Sequence, residues 1–135
     1  MHGAILPCCD HAPVPARRNV RAVLLAALLA TSGTLHFTSP RPFVRIVPKR
    51  LPRPDALVAV SGAAELACAA ALLHPRTRRV AGRATALLFV AVFPANVQMA
   101  YDARRKPGWY RTIAFLRLPL QAPLVEWALR VARQG

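Results

Sequence analysis

Four apolar runs divide the 135-residue chain, and short basic or proline-rich segments separate them. The runs cover residues 20–37, 56–73, 80–101 and 109 to about 132. A helix of about 18 residues is roughly 27 Å long, close to the thickness of the hydrocarbon core of a bilayer. The pattern therefore predicts an all-α membrane domain over residues 20–132. Because the connections are short, it also predicts an antiparallel bundle of four transmembrane helices.

Residues 1–19 precede the first run and contain three prolines without any helical period. We interpret them as a flexible N-terminal tail. Their metal-ligating side chains do not have the spacing of a structural zinc site, so we predict no metal there. These side chains are His2, Cys8, Cys9, Asp10 and His11.

The first run has two interpretations. Its basic start, its short apolar core and the small residues Ala30, Thr31 and Ser32 fit a secretory signal with a cleavage site. A retained first transmembrane helix fits the same residues. We favour retention because the rest of the chain is also predicted to lie in the membrane.

The connector of residues 38–55, between the first two runs, holds five prolines, which exclude a regular spanning helix. Its apolar residues alternate with cations, so we expect this Pro/Arg-rich loop to lie along the membrane interface. The cations are Arg41, Arg45, Lys49, Arg50 and Arg53.

Composition supports the membrane interpretation. Hydrophobic residues make up 55% of the chain, and the mean hydropathy is +0.31. Lys and Arg number 19 against 5 Asp and Glu, which gives a formal net charge of +14. The cations lie at the ends of the apolar runs, where they anchor transmembrane helices, and not on one face or tail as in nucleic-acid-binding proteins. We therefore predict a lipid bilayer and no nucleic acid as partner.

The basic residues do not decide the orientation in the membrane. The termini and the second loop together carry nine of them, and the first and third loops also carry nine. The positive-inside rule thus gives a tie, and we place the termini on the cytoplasmic side only as a working assignment.

Each predicted span places a polar side chain in the same half of the bilayer. Depth was measured from the membrane face at which the first run ends. At about 1.5 Å per residue, His36 lies near zero, Asn96 about 8 Å deep, Arg117 about 9–12 Å, Glu65 about 14 Å and Gln121 about 15–18 Å. Charged residues at such depths normally face the bundle interior and find partners. We therefore predict that these five side chains line one ligand pocket.

Glu65 is the only acidic residue deep in this half, and Arg117 is the only deep base. We expect these two to pair, directly or through water, while Asn96 and Gln121 satisfy the remaining hydrogen bonds. The alternative is a structural lock, in which the polar residues fix the helix register and do no chemistry. His36 also has a simpler interpretation as an interfacial histidine at a helix end.

Two prolines lie inside the predicted spans. Pro94 and Pro119 each remove a backbone donor, so we expect them to kink their helices and to free the carbonyls of Val90 and Phe115.

These residues also lie in stretches that resemble successive segments of the DoxX-like membrane proteins. The stretches read "GTLHFTSPRPFVRIVPKRLPRP", "LVAVSGAAELACAAALLHPRTRRVAG", "LLFVAVFPANVQMAYD" and "RLPLQAPLVEWAL", and the similarity runs from about Gly33 to Arg130. The resemblance implies a four-helix integral protein, usually of the bacterial cytoplasmic membrane. Relatives include the small membrane subunit linked to thiosulfate:quinone oxidoreductase, but most members have no assigned activity. The matching positions are His36, Pro48, Gly62, Glu65, Pro75, Arg78, Pro94, Asn96, Arg117, Pro119 and Gln121.

Three functions stay open at this point. The first is a non-catalytic membrane component of a quinone- or sulfur-linked redox system, with a quinone headgroup or a small anion in the pocket and a soluble oxidoreductase as partner. The second is a structural or assembly protein whose basic connector docks a soluble partner or anionic lipid. The third is transport of a small solute, for which four short helices would need to form a homo-oligomer.

An autonomous enzyme is not expected, because no nucleophile–base pair, phosphate loop or metal set is present in the sequence.

Overall fold

The computed structural model describes residues 16–135, with side chains from residue 20 onward, and this part of the chain is mostly helical. The elements are α1 (Ala16–Thr38), α2 (Pro40–Ile46), α3 (Pro54–Leu73), α4 (Arg78–Ala103) and α5 (Gly108–Gln134). The all-α prediction is confirmed. The tail was predicted to extend to residue 19, but α1 already begins at Ala16. The predicted tail before it, with its metal-ligating side chains, lies outside the described residues.

Three of the five prolines of the connector lie at the starts of helices. Pro40 and Pro42 lie in the first turn of α2, and Pro54 is the first residue of α3. Proline is tolerated at these positions because the first backbone amides of a helix have no partner within the helix. The connector is therefore partly helical where the sequence predicted a loop.

The turn of residues 74–77 ends α3 with two side-chain caps. The hydroxyl of Thr77 donates to the carbonyl of Ala71 at 2.7 Å, and Nε of Arg78 donates to the carbonyl of Leu72 at 3.0 Å. The last carbonyls of a helix have no partner within it, so these bonds satisfy two of them. The tight turn that follows sends α4 back along α3.

The four long helices pack in chain order, α1 on α3, α3 on α4 and α4 on α5, whereas α1 and α5 touch only lightly. The short helix α2 lies against α3, α4 and α1. A second short turn, residues 104–107, returns α5 along α4. The polar residues of α1 and α3 thus meet across one interface, and those of α4 and α5 across another.

Small residues bring these helices close together. A Cβ atom on Gly62 of α3 would lie 2.7 Å from Cβ of His36 on α1. On α4, a Cβ atom on Gly82 would lie 2.8 Å from the carbonyl oxygen of Ala128 on α5. Glycine and alanine at helix contacts allow the backbones to approach, which is the usual way that helices associate in lipid. Both helix pairs therefore have the packing of membrane helices.

Small residues make up most of the buried hydrophobic residues, and many large apolar side chains lie on the surface. Alanine is the commonest buried hydrophobic residue, with Ala22, Ala114 and Ala128 at 0% exposure. Among the large aliphatic side chains that point outward, Val60 is 67% and Leu87 71% exposed. A surface this apolar needs an apolar surrounding, because contiguous hydrophobic area of this extent is rare in soluble monomers.

Within the described part of the chain, three helical segments are long and apolar enough to cross a membrane: Val20–Thr38, Pro54–Leu73 and Arg78–Ala103. They are consistent with a membrane protein, as the sequence predicted. Helix α5, which carries Arg117, Glu126 and Arg130, is not among the three.

Candidate functional site

The α1–α3 interface holds an acid–imidazole pair. Nδ1 of His36 lies 3.6 Å from Oε2 of Glu65, and both side chains are only 9% exposed. Gly62, one turn before Glu65, lets α1 approach closely enough for this contact. Two groups that the sequence predicted in the pocket are thus brought together. His36 is buried between the helices.

A backbone carbonyl determines which nitrogen of the neutral imidazole ring of His36 carries the proton. Nδ1 of His36 lies 2.7 Å from the carbonyl oxygen of Ser32, one turn earlier on α1. A carbonyl only accepts hydrogen bonds, so Nδ1 carries a proton and donates it to this bond. In the neutral ring, Nε2 is then the basic nitrogen. His36 is thereby prepared to take up a second proton at Nε2 or to accept a hydrogen bond there.

The short helix α2 covers this pair. The ring of Phe43 stacks on the ring of His36, with 4.0 Å between the ring centroids and 26° between the planes. Phe43 therefore shields the imidazole on the side of the connector. The sequence pattern placed the connector only at the membrane interface, and this contact was not predicted.

One oxygen of the buried carboxyl group lacks a hydrogen bond. Among the described residues, Oε2 of Glu65 and Oγ of Ser61 are inaccessible atoms without a partner. The distance of 3.6 Å to Nδ1 of His36 is too long for a hydrogen bond. Buried polar groups in proteins are nearly always hydrogen-bonded, so these two atoms, one helical turn apart on α3, mark an incompletely satisfied site.

Glu65 and Arg117 do not form the direct salt bridge that was one form of the predicted pair. None joins them in the described part of the chain, and the basic partner of Glu65 is His36. Pairing through water stays a prediction. Arg117 has an exposed side chain on α5. It still lies near enough to act electrostatically on the carboxyl group of Glu65. The depth of a residue along a helix does not give its direction around the helix axis, which explains the error.

The other two predicted residues form an amide pair between α4 and α5. Nδ2 of Asn96 donates to Oε1 of Gln121 at 3.0 Å, and Nε2 of Gln121 donates to the carbonyl oxygen of Phe89. Both amide side chains are buried. Because Gln121 has partners at both ends of its amide, this pair matches the structural lock that was the alternative interpretation.

The two prolines lie inside continuous helices, Pro94 in α4 and Pro119 in α5. The side-chain donor that reaches a carbonyl of α4 is Nε2 of Gln121, and it bonds the carbonyl of Phe89 and not that of Val90. The freeing of the Val90 and Phe115 carbonyls by the two prolines stays a prediction.

Ser32 is a member of the site that was not predicted from the sequence. Its carbonyl accepts from His36, and its side chain lies beside the carboxyl group of Glu65. The signal was present in the sequence, since residues 32 and 36 are one turn apart and share a helix face.

The acid–imidazole pair can exist without net charge in an apolar surrounding. A carboxylic acid beside a neutral imidazole is uncharged, and a carboxylate beside an imidazolium has a net charge of zero. No group of three or more metal-ligating side chains lies among the described residues. Because Nδ1 of His36 already donates to the carbonyl of Ser32, the arrangement suits hydrogen bonding to a ligand at Glu65 and at Nε2 of His36.

A comparison with known protein families identifies the family of this chain. A family model described as "Domain of unknown function (DUF8561)" matches residues 25–132. The match includes α3 and α4 completely and every residue of the acid–imidazole and amide pairs. No curated protein and no solved structure matches the chain.

Proposed function

Because the chain belongs to the DUF8561 family, whose function is unknown, we propose its function from the geometry of the polar site. The protein is a four-span membrane protein that binds a small hydrogen-bonding ligand, such as a quinone headgroup, at Glu65 and His36. It acts as the non-catalytic membrane component of a redox system. The observation that carries this proposal is the buried oxygen of Glu65 that has no hydrogen-bond partner.

The packing of α5 supports a fourth span. Its 27 residues correspond to a length of about 40 Å, more than the hydrocarbon core of a bilayer. Gly82 contacts it near its C-terminal end, and Asn96 contacts it closer to its start. A helix that packs antiparallel along a membrane-spanning helix also crosses the membrane. The buried Gln121 and the paired Glu126 and Arg130 reduce the cost of its polar groups.

The role of α1 supports its retention as the first span. Leu25 and Leu29 of this helix are at most 1% exposed and belong to the main hydrophobic core. His36 of α1 also supplies the partner of Glu65. Removing α1 as a signal peptide would expose this core and leave a buried carboxyl group without its base.

The residues around Glu65 suit a quinone headgroup. A quinone carries two carbonyl acceptors and a planar ring, and its reduced form carries two hydroxyl donors. Glu65 can accept from a hydroxyl, protonated His36 can donate to a carbonyl, and the exposed Arg117 supplies positive potential. The resemblance to DoxX-like proteins, among them a subunit linked to a quinone-dependent enzyme, favours this ligand class over a simple anion.

A binding titration tests the proposal. The purified protein in nanodiscs is titrated with a short-tailed quinone, and we expect saturable binding that falls at least about tenfold in Glu65→Gln, because an acceptor is removed from a buried site. Glu126→Gln is the matched control, since Glu126 is an exposed carboxylate paired with Arg130. Equal binding by wild type and Glu65→Gln would contradict the proposal.

One observation favours the second candidate function, docking of a soluble partner or anionic lipid on the connector. All five of its cations, Arg41, Arg45, Lys49, Arg50 and Arg53, have exposed side chains. Charge reversal at Arg45, Lys49 and Arg50 would then abolish recovery of a partner in a detergent pull-down, and undiminished recovery would count against docking.

A further inference from the structure

A groove runs along the outer side of the α4–α5 pair, away from the acid–imidazole pair. Its volume is about 740 Å³, and its walls are apolar side chains of both helices, among them Val90, Phe93, Leu118 and Val125. Gln121 also lines it, but both ends of that amide already have partners on α4. The groove therefore presents a surface that needs no further hydrogen bonds from an occupant.

The groove follows α5 toward its C-terminal end. From Leu118 to Arg133 it extends over 15 residues of helix, or about 22 Å. This is longer than one leaflet of the hydrocarbon core, which is about 15 Å. A single extended hydrocarbon chain that starts at the membrane surface therefore fits the groove along its length.

The surface end of the groove is positive. Arg133 lines the groove there and has an exposed side chain. Glu126, the acidic residue of the lining, is already paired with Arg130, with Nε of Arg130 donating to Oε1 at 3.0 Å. Arg79 and Arg83, also exposed, lie on the first turns of α4 at the same end of the fold. No salt bridge in the described part of the chain neutralises Arg133, Arg79 or Arg83.

We propose that this groove binds one acyl chain of an anionic phospholipid whose phosphate lies against Arg133. The charge at the surface end selects the headgroup, because a cation near a membrane surface attracts anionic lipid, while the apolar walls hold the chain. The binding site is separate from the acid–imidazole pair and does not depend on quinone binding, but it rests on the proposed crossing of the membrane by α5.

Native mass spectrometry of the detergent-purified chain tests this inference. Phosphatidylglycerol and phosphatidylcholine with identical acyl chains are added at equal concentration, and retained lipid adducts are counted. We expect the wild-type chain to retain more phosphatidylglycerol than phosphatidylcholine. In Arg133→Gln the ratio of the two retained lipids should fall about fivefold, which is the effect of removing one surface cation. Arg76→Gln is the control, because Arg76 lies in the turn at the same end and does not line the groove.

A second variant tests the groove without changing charge. Ala122 lines the groove and is exposed, so Ala122→Trp fills the space of the acyl chain without disturbing a buried residue. We expect this variant to lose retained phosphatidylglycerol while the folded chain elutes as wild type in size exclusion. Equal retention of both lipids by wild type, an equal loss in Arg76→Gln and Arg133→Gln, or unchanged binding in folded Ala122→Trp would each overturn the proposal.

Discussion

Nδ1 of His36 lies 3.6 Å from Oε2 of Glu65, and this contact joins the end of α1 to the middle of α3. Among the described residues of their own helices, Glu65 has no comparable partner and His36 has only the carbonyl of Ser32, which orients the imidazole ring. A carboxyl group inside an apolar fold is costly unless a base or hydrogen bonds accompany it. The contact therefore links the stability of the α1–α3 interface to the chemistry of the candidate site.

The first prediction concerns the coupling of this pair. We expect His36→Gln and Glu65→Gln each to destabilise the protein, because each leaves a buried polar group without its partner. The double variant should be more stable than the sum of the two losses predicts, with a coupling of about 1–2 kcal/mol. Unfolding of all four proteins in mixed micelles measures this, and strictly additive effects would show that the two side chains do not interact.

The second prediction concerns the close approach of α1 and α3. The added methyl group of Gly62→Ala would lie 2.7 Å from Cβ of His36, so the helices must separate. We expect a loss of about 1–3 kcal/mol, as for other overpacked interfaces, together with weaker quinone binding. Gly108→Ala is the control, because a Cβ atom there meets nothing within 4 Å. Thermal unfolding that is equal in the two variants would argue against the close packing.

The third prediction separates the two polar pairs. Asn96→Ala removes a hydrogen bond from the buried amide of Gln121, which should cost about 1 kcal/mol of stability. Quinone binding should stay within about twofold of wild type, because Gln121 is already bonded to Asn96 and to the carbonyl of Phe89 and not to the acid–imidazole pair. Gln98→Ala, which removes an exposed hydrogen bond to Asp102, is the matched control. If Asn96→Ala abolishes binding while the protein stays folded, the amide pair belongs to the ligand site.

The fourth prediction tests the crossing of α5. Single cysteines at Arg76, Arg105 and Arg133 are placed in a chain with its native cysteines replaced, and an impermeant thiol reagent is added to sealed vesicles. We expect Arg76→Cys and Arg133→Cys to be labelled from one side of the membrane and Arg105→Cys from the other. If Arg133→Cys and Arg105→Cys share a side, α5 does not cross.

The sequence predicted the helices because their apolar runs are long and uninterrupted. The predicted helix ends were less accurate. Helix α1 begins at Ala16 and α4 at Arg78, before the predicted starts at residues 20 and 80, because the cations there are not part of the apolar pattern. Such residues continue a helix readily, because a long basic side chain has good helix propensity and can remain in water. The helicity of Pro40–Ile46 was not predicted, because prolines in a first turn look like helix breakers when the start of the helix is unknown.

The candidate site could be predicted only in part, because the sequence gives depth along a helix but not the packing around it. Burial of Glu65, Asn96 and Gln121 follows from their polarity within apolar runs and is confirmed. Arg117 and Gln121 were placed on one face of α5, but Gln121 is buried and Arg117 is exposed. Four residues of helix rotate a side chain by about 40°, and this suffices to move a long side chain from an interface to its edge.

Infrared difference spectroscopy of the carboxyl groups tests the central claim most directly, since the claim is that the carboxyl group of Glu65 meets a ligand. The chain has only 5 acidic residues, so few carboxyl bands can contribute. On addition of a short-tailed quinone to the protein in nanodiscs, we predict a carboxyl difference band that persists in Glu126→Gln and disappears in Glu65→Gln. No carboxyl band on quinone addition, or a band that survives in Glu65→Gln, would contradict the account.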